Sequence, residues 1–160
     1  MRIVVYGAPA PQGSKAFKGM AGGHAILVES SKAVRPWRQD VKAAAIEAMG
    51  GAGNGVAGPV RVRMTFTMSK PKSAPKRRKT WPDRTPDLDK LCRSTFDALK
   101  HAGAIEDDAR AVWLMAAKVF PGEGTDALAV PGAVIEIEQA APAEPVSADG
   151  PRNRRRSCLQ

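Results

Sequence analysis

The residues of this chain with side chains best suited to catalysis or metal binding are acids that flank one segment, Asp87–Ala102. Asp87 and Asp89 form an Asp-x-Asp pair at its start, and Glu106, Asp107 and Asp108 form a run after its end. Carboxylate oxygens are the ligands that hard divalent cations prefer, and Mg²⁺ usually takes one or two protein carboxylates while it retains waters and substrate phosphate oxygens. The acids therefore indicate a candidate magnesium site, and a metal held there polarises a phosphodiester and activates the attacking water.

Each acidic group also has a purely structural interpretation. Aspartate is favoured at a helix N-terminus, where it caps free N–H groups and opposes the positive end of the helix dipole. Asp-Asp in a helix-to-strand connection is a common solvated turn. That turn lies at the C-terminal end of the helix, roughly 20 Å from Asp87 by the 1.5 Å rise per residue. The distance counts against a shared site unless the connection from Glu106 to Asp108 folds back.

Two cations accompany the acids. Arg93 lies one turn after Asp89 and one turn before Asp97, so it either forms i, i+4 ion pairs or acts as a phosphate clamp and stabiliser of transition-state charge. Lys118 lies in an otherwise apolar strand, either as an edge residue that extends its amine to solvent or as a cation directed at the scissile phosphate. The residues alone leave both alternatives open.

Positive charge dominates the rest of the chain. The 160 residues include 25 lysines and arginines against 16 acids, a net charge of +9, which favours a polyanionic partner such as nucleic acid. The surplus is concentrated in residues 70–84, a proline-interrupted segment with Trp81 and a single acid, Asp83. We expect this segment, the basic loop, to be mobile.

The elements that must position these residues follow from periodicity. Apolar alternation or continuous apolar runs predict strands at Arg2–Tyr6, His24–Glu29, Pro59–Met68, Ala111–Phe120 and Ala133–Glu138, with a turn-rich loop between the first two. Helical spacing predicts helices over Val34–Met49 and Asp87–Ala102, the second ended by Gly103. The strand from Ala111 is apolar on both faces, which predicts a central position, whereas the strand from Ala133 alternates like one nearer the edge.

This order predicts an α+β fold: a single small domain over residues 1–139, with a mixed β-sheet and two main helices packed on it. Residues 140–160 are rich in proline, alanine and charge, so we expect a disordered basic tail.

Cys92 and Cys158 form no C-x-x-C pair, which favours a reducing compartment. The N-terminal apolar run is too short for a signal peptide, and no stretch approaches the roughly 20 apolar residues of a membrane span. We expect a cytoplasmic protein.

The chain resembles the RusA family of Holliday-junction resolvases in a specific central motif. The motif comprises Pro86-Asp87-Leu88-Asp89-Lys90-Leu91, Arg93, Phe96-Asp97-Ala98-Leu99, His101-Ala102-Gly103 and Glu106-Asp107-Asp108. The resemblance extends to the segment from Gly7 to Lys15 and to Lys118. It implies a RusA-like fold and a crossover junction endodeoxyribonuclease that nicks two strands of like polarity symmetrically across a four-way junction. The implied cofactor is Mg²⁺, with Mn²⁺ as a substitute.

The same resemblance implies the roles of individual residues and the convergence of the acids. Catalytic roles fall to Asp87, Asp89, Asp108, Arg93 and Lys118, and metal ligation to Asp87, Asp89, Asp107 and Asp108. The expected DNA contacts are Lys15, Lys70, Lys72, Lys76, Arg77, Arg78, Lys79, Arg84 and Lys90. Arg93 stands where the family usually has lysine, and Lys90 where it usually has asparagine. Arginine keeps the charge, but its planar guanidinium is not equivalent to a compact ammonium.

We expect a homodimer in a bacterial host, acting on phage or prophage DNA in recombination, repair or replication. Two symmetric nicks require two active sites related by a two-fold axis. Two other functions remain open at this point. One is a non-catalytic DNA-binding or architectural protein whose acids only cap and turn. The other is a metal nuclease for other branched DNA or for RNA.

Overall fold

Six strands and two helices make up the computed structural model, which describes residues 1–13, 15–22, 24–29, 32–51, 53–75 and 78–141, with only the backbone at 15–18, 21 and 24–29. The strands are β1 (Arg2–Tyr6), β2 (Lys15–Ala21), β3 (His24–Glu29), β4 (Val60–Thr67), β5 (Ala111–Val119) and β6 (Gly132–Gln139), and the helices are α1 (Val34–Ala48) and α2 (Leu88–Ala102). A short 3₁₀ helix, Asp108–Arg110, precedes β5. The predicted α+β class, with a mixed sheet and two helices in one small domain, is confirmed.

A four-stranded sheet in the order β1-β6-β4-β5 carries the core. Strand β6 is antiparallel to both β1 and β4, whereas β5 runs parallel to β4. Ile3, Ile135 and Met64 are neighbours in register across three strands, and none of them is exposed. The next residues along these strands form a charged row on the opposite face, made of Arg2, Glu136 and Arg63. The two-residue period therefore separates a buried face from a solvent face.

Helices α1 and α2 cover the apolar face of the sheet and pack on each other. The indole N–H of Trp37 in α1 donates to the Thr95 hydroxyl of α2 at 3.3 Å, and its ring centroid lies 6.5 Å from that of Phe66 on β4. Arg38 and Asp97 pair across the two helices at 2.5 Å. Burial of a side chain such as Phe66 contributes about 1.5–3 kcal/mol. The first half of α1 is thereby held against the second half of α2.

The sequence predicted α2 closely. The predicted apolar stripe is Leu88, Leu91, Cys92, Thr95, Phe96, Leu99 and Ala102, and all of these are buried except Leu88 and Phe96, which are half-buried. Gly103 ends the helix with φ 74°, the left-handed conformation that glycine adopts at low cost. Asp87 occupies the N-cap position, one residue before the first helical residue. None of the helices in the described part of the chain is long and apolar enough to span a membrane.

The predicted positions of two strands in the sheet are wrong. Strand β6 lies between β1 and β4, and β5 forms the edge, the reverse of the expectation. Alternation in β6 reflects a sheet with one solvated face, a pattern that inner strands of such a sheet share with edge strands. Strand β5 keeps the two-sided apolar composition of an inner strand, although its outer side has no strand neighbour within the described residues.

The expected loop before His24 contains a strand as well. Lys15–Ala21 forms β2, which pairs antiparallel with β3 as a separate two-stranded sheet, with a shift of register between Phe17 and Gly19. Glycines within and after this segment weaken its strand signal, and the pairing with β3 supplies the stabilisation that local preference lacks. The expected tail, residues 140–160, falls outside the described residues beyond position 141.

Candidate functional site

Asp87 and Asp89 are exposed at the N-terminal end of α2. Although Asp87 occupies the N-cap, its carboxylate makes no capping hydrogen bond. Its Oδ2 instead lies 2.7 Å from the Nζ of Lys90. The hydrogen bond and charge of Lys90 hold the pKa of Asp87 below its ordinary value, and Lys118 contributes in the same direction. Asp87 is therefore an ionised carboxylate that carries no structural role as a cap.

Lys118, near the end of β5, connects the sheet to the segment that precedes Asp87. Its Nζ donates hydrogen bonds to the carbonyl oxygens of Arg84 at 2.8 Å and of Pro86 at 2.9 Å. The sequence left two interpretations of Lys118, an edge residue that extends its amine to solvent and a cation directed at the scissile phosphate. Neither describes this arrangement fully, because the amine is directed at backbone carbonyls beside the site. Lys118 thus restrains the chain just before the first aspartate of the pair.

Arg93 is exposed on α2 one turn beyond Asp89. The ion pair with Asp97 that the sequence left open is absent, because Asp97 pairs with Arg38 of α1. Within the described residues Arg93 takes part in no salt bridge. A guanidinium with no internal acidic partner is available to an anionic ligand, and it binds phosphate oxygens in a bidentate geometry.

The segment after β1 supports the first turns of α2. The backbone N–H of Gln12 donates to the carbonyl of Lys90 at 3.0 Å, and the Ser94 hydroxyl donates to the carbonyl of Ala10 at 2.6 Å. Gly7 has φ 138°, and a Cβ at this position would lie 2.7 Å from a carboxylate oxygen of Asp40. The positive φ explains why glycine is favoured where this segment leaves β1, since the exposed Asp40 carboxylate can move aside.

Asp107 and Asp108 lie beyond the other end of α2. Asp107 accepts hydrogen bonds from the Nζ of Lys100 at 2.5 Å and from the backbone N–H of Ala109 at 3.0 Å. Lys100 first, and then the Ala109 N–H, hold the pKa of Asp107 well below its usual range. Asp108 begins the 3₁₀ helix and is exposed. Lys100 belongs to the last turn of α2, so this acidic pair is separated from Asp87 by the length of the helix.

The 15 residues of α2 place the two acidic pairs about 20 Å apart at 1.5 Å per residue. The turn after the helix is held at that end, because the N–H of Val56 donates to the carbonyl of Ala104 at 3.0 Å and Val56 forms a parallel bridge with Ile105. No group of three or more His, Cys, Asp or Glu that could hold a metal ion occurs in the described part of the chain. Within one chain the aspartates do not converge.

Glu123 anchors the basic loop, and nothing in the sequence indicated this contact. Its carboxylate accepts from the Nζ of Lys70 and from the backbone N–H of Thr80, the latter at 3.1 Å. Lys70 also lies 5.6 Å from the ring centroid of Phe120. The hydrogen bond from Lys70, as the largest cause, and that from the Thr80 N–H lower the pKa of Glu123. The loop is thus tied to the protein at two points ten residues apart in sequence.

A cleft of about 920 Å³ lies beneath the basic loop and extends to Pro86, next to Asp87. Trp81 lines the cleft and remains 71% exposed. Of the predicted DNA contacts, those exposed in the loop are Lys72, Arg78, Lys79 and Arg84. Lys70 is engaged by Glu123, and Lys90 by Asp87. Lys76, Arg77 and the side chain of Lys15 lie outside the described part of the structure.

The family model described as endodeoxyribonuclease RusA matches residues 7–137, a span that includes both aspartate pairs, Arg93 and Lys118. No curated protein matches the chain. The RusA family implies a Holliday-junction endonuclease, with DNA as the substrate and a metal-dependent reaction. Because the match covers most of the 160 residues, the chain belongs to the RusA family of endodeoxyribonucleases.

Proposed function

We propose that this protein is a Mg²⁺-dependent crossover junction endodeoxyribonuclease that resolves four-way DNA by paired symmetric nicks. It would act as a homodimer on phage or prophage DNA in the cytoplasm of a bacterial host, in recombination, repair or replication. The observation that carries the proposal is the group at the start of α2. Asp87 and Asp89 are exposed there, Arg93 lies one turn further with no internal acidic partner, and the cleft beneath the basic loop reaches Pro86.

The residues at this position fit a hard divalent cation. Mg²⁺, or Mn²⁺ in its place, is commonly held by one or two protein carboxylates together with phosphate oxygens, and Asp87 and Asp89 supply two exposed carboxylates. When bound, the metal supplies Lewis-acid polarisation of the phosphoryl group and a more acidic water. Arg93 would bind the phosphate and stabilise charge that develops on it. Lys118 would keep Asp87 in place, and the exposed cations of the basic loop would bind the DNA backbone.

Strand β5 is the proposed dimer contact. Val112, Leu114 and Met115 are 64%, 45% and 48% exposed, and Lys118 is the one charged residue among the nine of the strand. A long apolar edge strand is a template for association with another chain, and the one charge of β5 is engaged by the carbonyls of Arg84 and Pro86. Antiparallel pairing of two β5 strands about a two-fold axis near Met115 would join the sheets of two subunits. It would also give β5 the inner position that its composition predicts.

This pairing would bring together acids that lie at opposite ends of α2 within one chain. Antiparallel strands place the start of one β5 beside the end of the other. Asp108 lies just before the start of β5, and Lys118, near its end, is bonded to the segment before Asp87. Asp108 of one subunit would therefore approach Asp87 and Asp89 of the other. Asp107, held by Lys100, would support it rather than act as the principal ligand.

The first test is nicking of a synthetic four-way junction with Mg²⁺ and with EDTA. The proposal expects paired nicks with Mg²⁺, no product with EDTA, and loss of nicking but not of junction binding in Asp89→Asn. Normal cutting by that variant would show that the metal site is assigned wrongly. Junction binding without metal-dependent product would favour an architectural protein. Preferential cutting of flaps or RNA in competition would favour the other nuclease class.

The second test asks whether each site draws acids from two subunits. Asp89→Asn and Asp108→Asn are each expected to be inactive alone. Their mixture contains heterodimers in which one site has both acids intact, so nicking should return as single rather than paired cuts. A mixture of Asp87→Asn with Asp89→Asn is the matched control and should stay inactive, because both changes affect the same half of the site. Equal inactivity of the two mixtures would contradict the shared site.

A further inference from the structure

A second basic surface lies on the helical layer, apart from the basic loop. A cavity of about 640 Å³ opens between the first half of α1 and the end of α2, with Val34 and Ala98 at its base. Its lining includes four lysines and arginines, Lys32, Arg35, Arg38 and Lys42, together with Gln39 and His101. We call these four cations the α1 basic patch.

Helical spacing explains why the cations share one surface. Arg35, Arg38, Gln39 and Lys42 follow the i, i+3, i+4, i+7 spacing that places residues on one side of a helix. The acids of α1, Asp40 and Glu47, do not line the cavity. Gln39 adds a neutral hydrogen-bond donor between the cations.

Most of the charge in the patch is not neutralised by neighbouring acids. Arg38 pairs with Asp97 at 2.5 Å. Lys32, Arg35 and Lys42 are exposed and form no salt bridge within the part of the chain that the structure describes. Three exposed cations around one concave surface create a local positive potential that favours an anion with several charges close together.

We propose that the α1 basic patch binds backbone phosphates of the DNA substrate at a distance from the Asp87–Asp89 pair of its own subunit. This inference rests on the proposed function for the identity of the polyanion. His101 lies 14 residues after Asp87, about 21 Å along α2 at 1.5 Å per residue. At about 3.4 Å per nucleotide of one strand, that separation corresponds to roughly six nucleotides. The patch therefore contacts the DNA about that far from the phosphate bound at Asp87 and Asp89 of the same subunit, and it contributes affinity without reading base sequence.

The test compares two double variants that lose the same charge. Arg35→Gln with Lys42→Gln removes two exposed cations of the patch. Arg2→Gln with Arg63→Gln is the matched control, since both arginines lie on the opposite face of the sheet and interact with Glu136. Binding of the full-length protein to a four-way junction is measured by fluorescence anisotropy in EDTA over a series of salt concentrations. Thermal melting establishes that all variants are folded.

The patch variant is expected to bind more weakly and to lose about 1.8 per subunit, or about 3.6 for the homodimer, from the slope of log K against log salt, at about 0.9 per phosphate contact. The control should keep the wild-type slope. Ethylation interference should show that phosphates about six nucleotides from the cut made at Asp87 and Asp89 of the same subunit matter to the wild type and not to the patch variant. Equal slopes and equal interference patterns in wild type and patch variant would overturn the inference. A wild type that binds but never nicks with Mg²⁺ would overturn the proposed function instead, whatever the slopes are.

Discussion

The Nζ of Lys118 donates a 2.9 Å hydrogen bond to the carbonyl oxygen of Pro86, the residue immediately before Asp87. The same amine bonds the carbonyl of Arg84, so one side chain of β5 holds two points of the segment that leads into α2. The position of the first aspartate therefore depends on the sheet as well as on its own helix. We assign Lys118 a positioning role on this basis.

Replacement of Lys118 by methionine should lower the nicking rate on a saturated junction by about ten- to hundred-fold, because small displacements of catalytic groups have effects of that size. Junction affinity should change little, since the amine is already engaged by backbone carbonyls. Lys118→Arg can donate to the same carbonyls and should retain more activity. Single-turnover nicking and anisotropy separate the two effects. A loss of affinity with an unchanged rate would point to direct phosphate binding instead.

Leu114→Lys should dissociate the dimer. Pairing of β5 about Met115 brings both copies of residue 114 close to the two-fold axis, and like charges in an interface cost several kcal/mol. At 1.4 kcal/mol per factor of ten, the dimer dissociation constant should rise about 100-fold or more. Sedimentation equilibrium measures it. Val130→Lys is the matched control, since Val130 is 49% exposed in the connection between β5 and β6. An unaltered dimer in Leu114→Lys would exclude β5 as the contact.

Lys90→Asn should tighten metal binding. The Lys90 ammonium lies 2.7 Å from Asp87, and both side chains are about half exposed, so a cation that binds Asp87 must replace a weak ion pair. Such exposed pairs are weak, so the half-saturating Mg²⁺ concentration should fall only roughly 1.5- to 5-fold. A Mg²⁺ titration of nicking and Mn²⁺ calorimetry both measure this. Lys72→Asn removes the same charge elsewhere and should leave the metal affinity as it is. Weaker metal binding by Lys90→Asn would count against Asp87 as a ligand.

Glu123→Gln should weaken junction binding although it makes the protein more positive. The substitution removes the charge that holds Lys70 and the Thr80 N–H, so the basic loop of the free variant is no longer fixed in place. The free-energy cost of ordering the loop is then added to DNA binding. Junction affinity should fall about five- to thirty-fold. Glu138→Gln, on the exposed end of β6, removes the same charge without contact to the loop and should bind slightly more tightly. If both variants bind more tightly, charge alone governs affinity.

The thiol of Cys92 should be unreactive near neutral pH. Burial, followed by the charge of Asp89, raises the pKa of Cys92 from 9.0 to about 11. Because the folded pKa is the higher one, the stability linked to this proton is present below about pH 9 and is lost as the pH rises through about 11. Alkylation of the Cys158→Ser variant by iodoacetamide should reach half its maximal rate near pH 11 when folded and near pH 9 in urea. Matching pH profiles would contradict the shift.

Local patterns predicted most elements but not their arrangement. The apolar stripe of α2 and its terminal Gly103 are properties of one short segment, and the helix begins and ends close to the predicted residues. Strand β2 was missed because its stability comes from pairing with β3. The positions of β5 and β6 were exchanged because alternation reports which faces are buried, and it does not report which strand lies beside which.

The chemistry of the candidate site was determined by the sequence itself. Carboxylates at Asp87 and Asp89 and a permanent cation at Arg93 are properties of single residues, and they indicate a metal and a phosphate without any knowledge of the fold. Only the tertiary structure decided where these groups lie. It separates Asp108 from Asp87 by the length of α2, bonds Lys118 to the chain before the site and ties the basic loop to Glu123. These relationships join residues that are distant in sequence, and their geometry depends on how helices and strands pack.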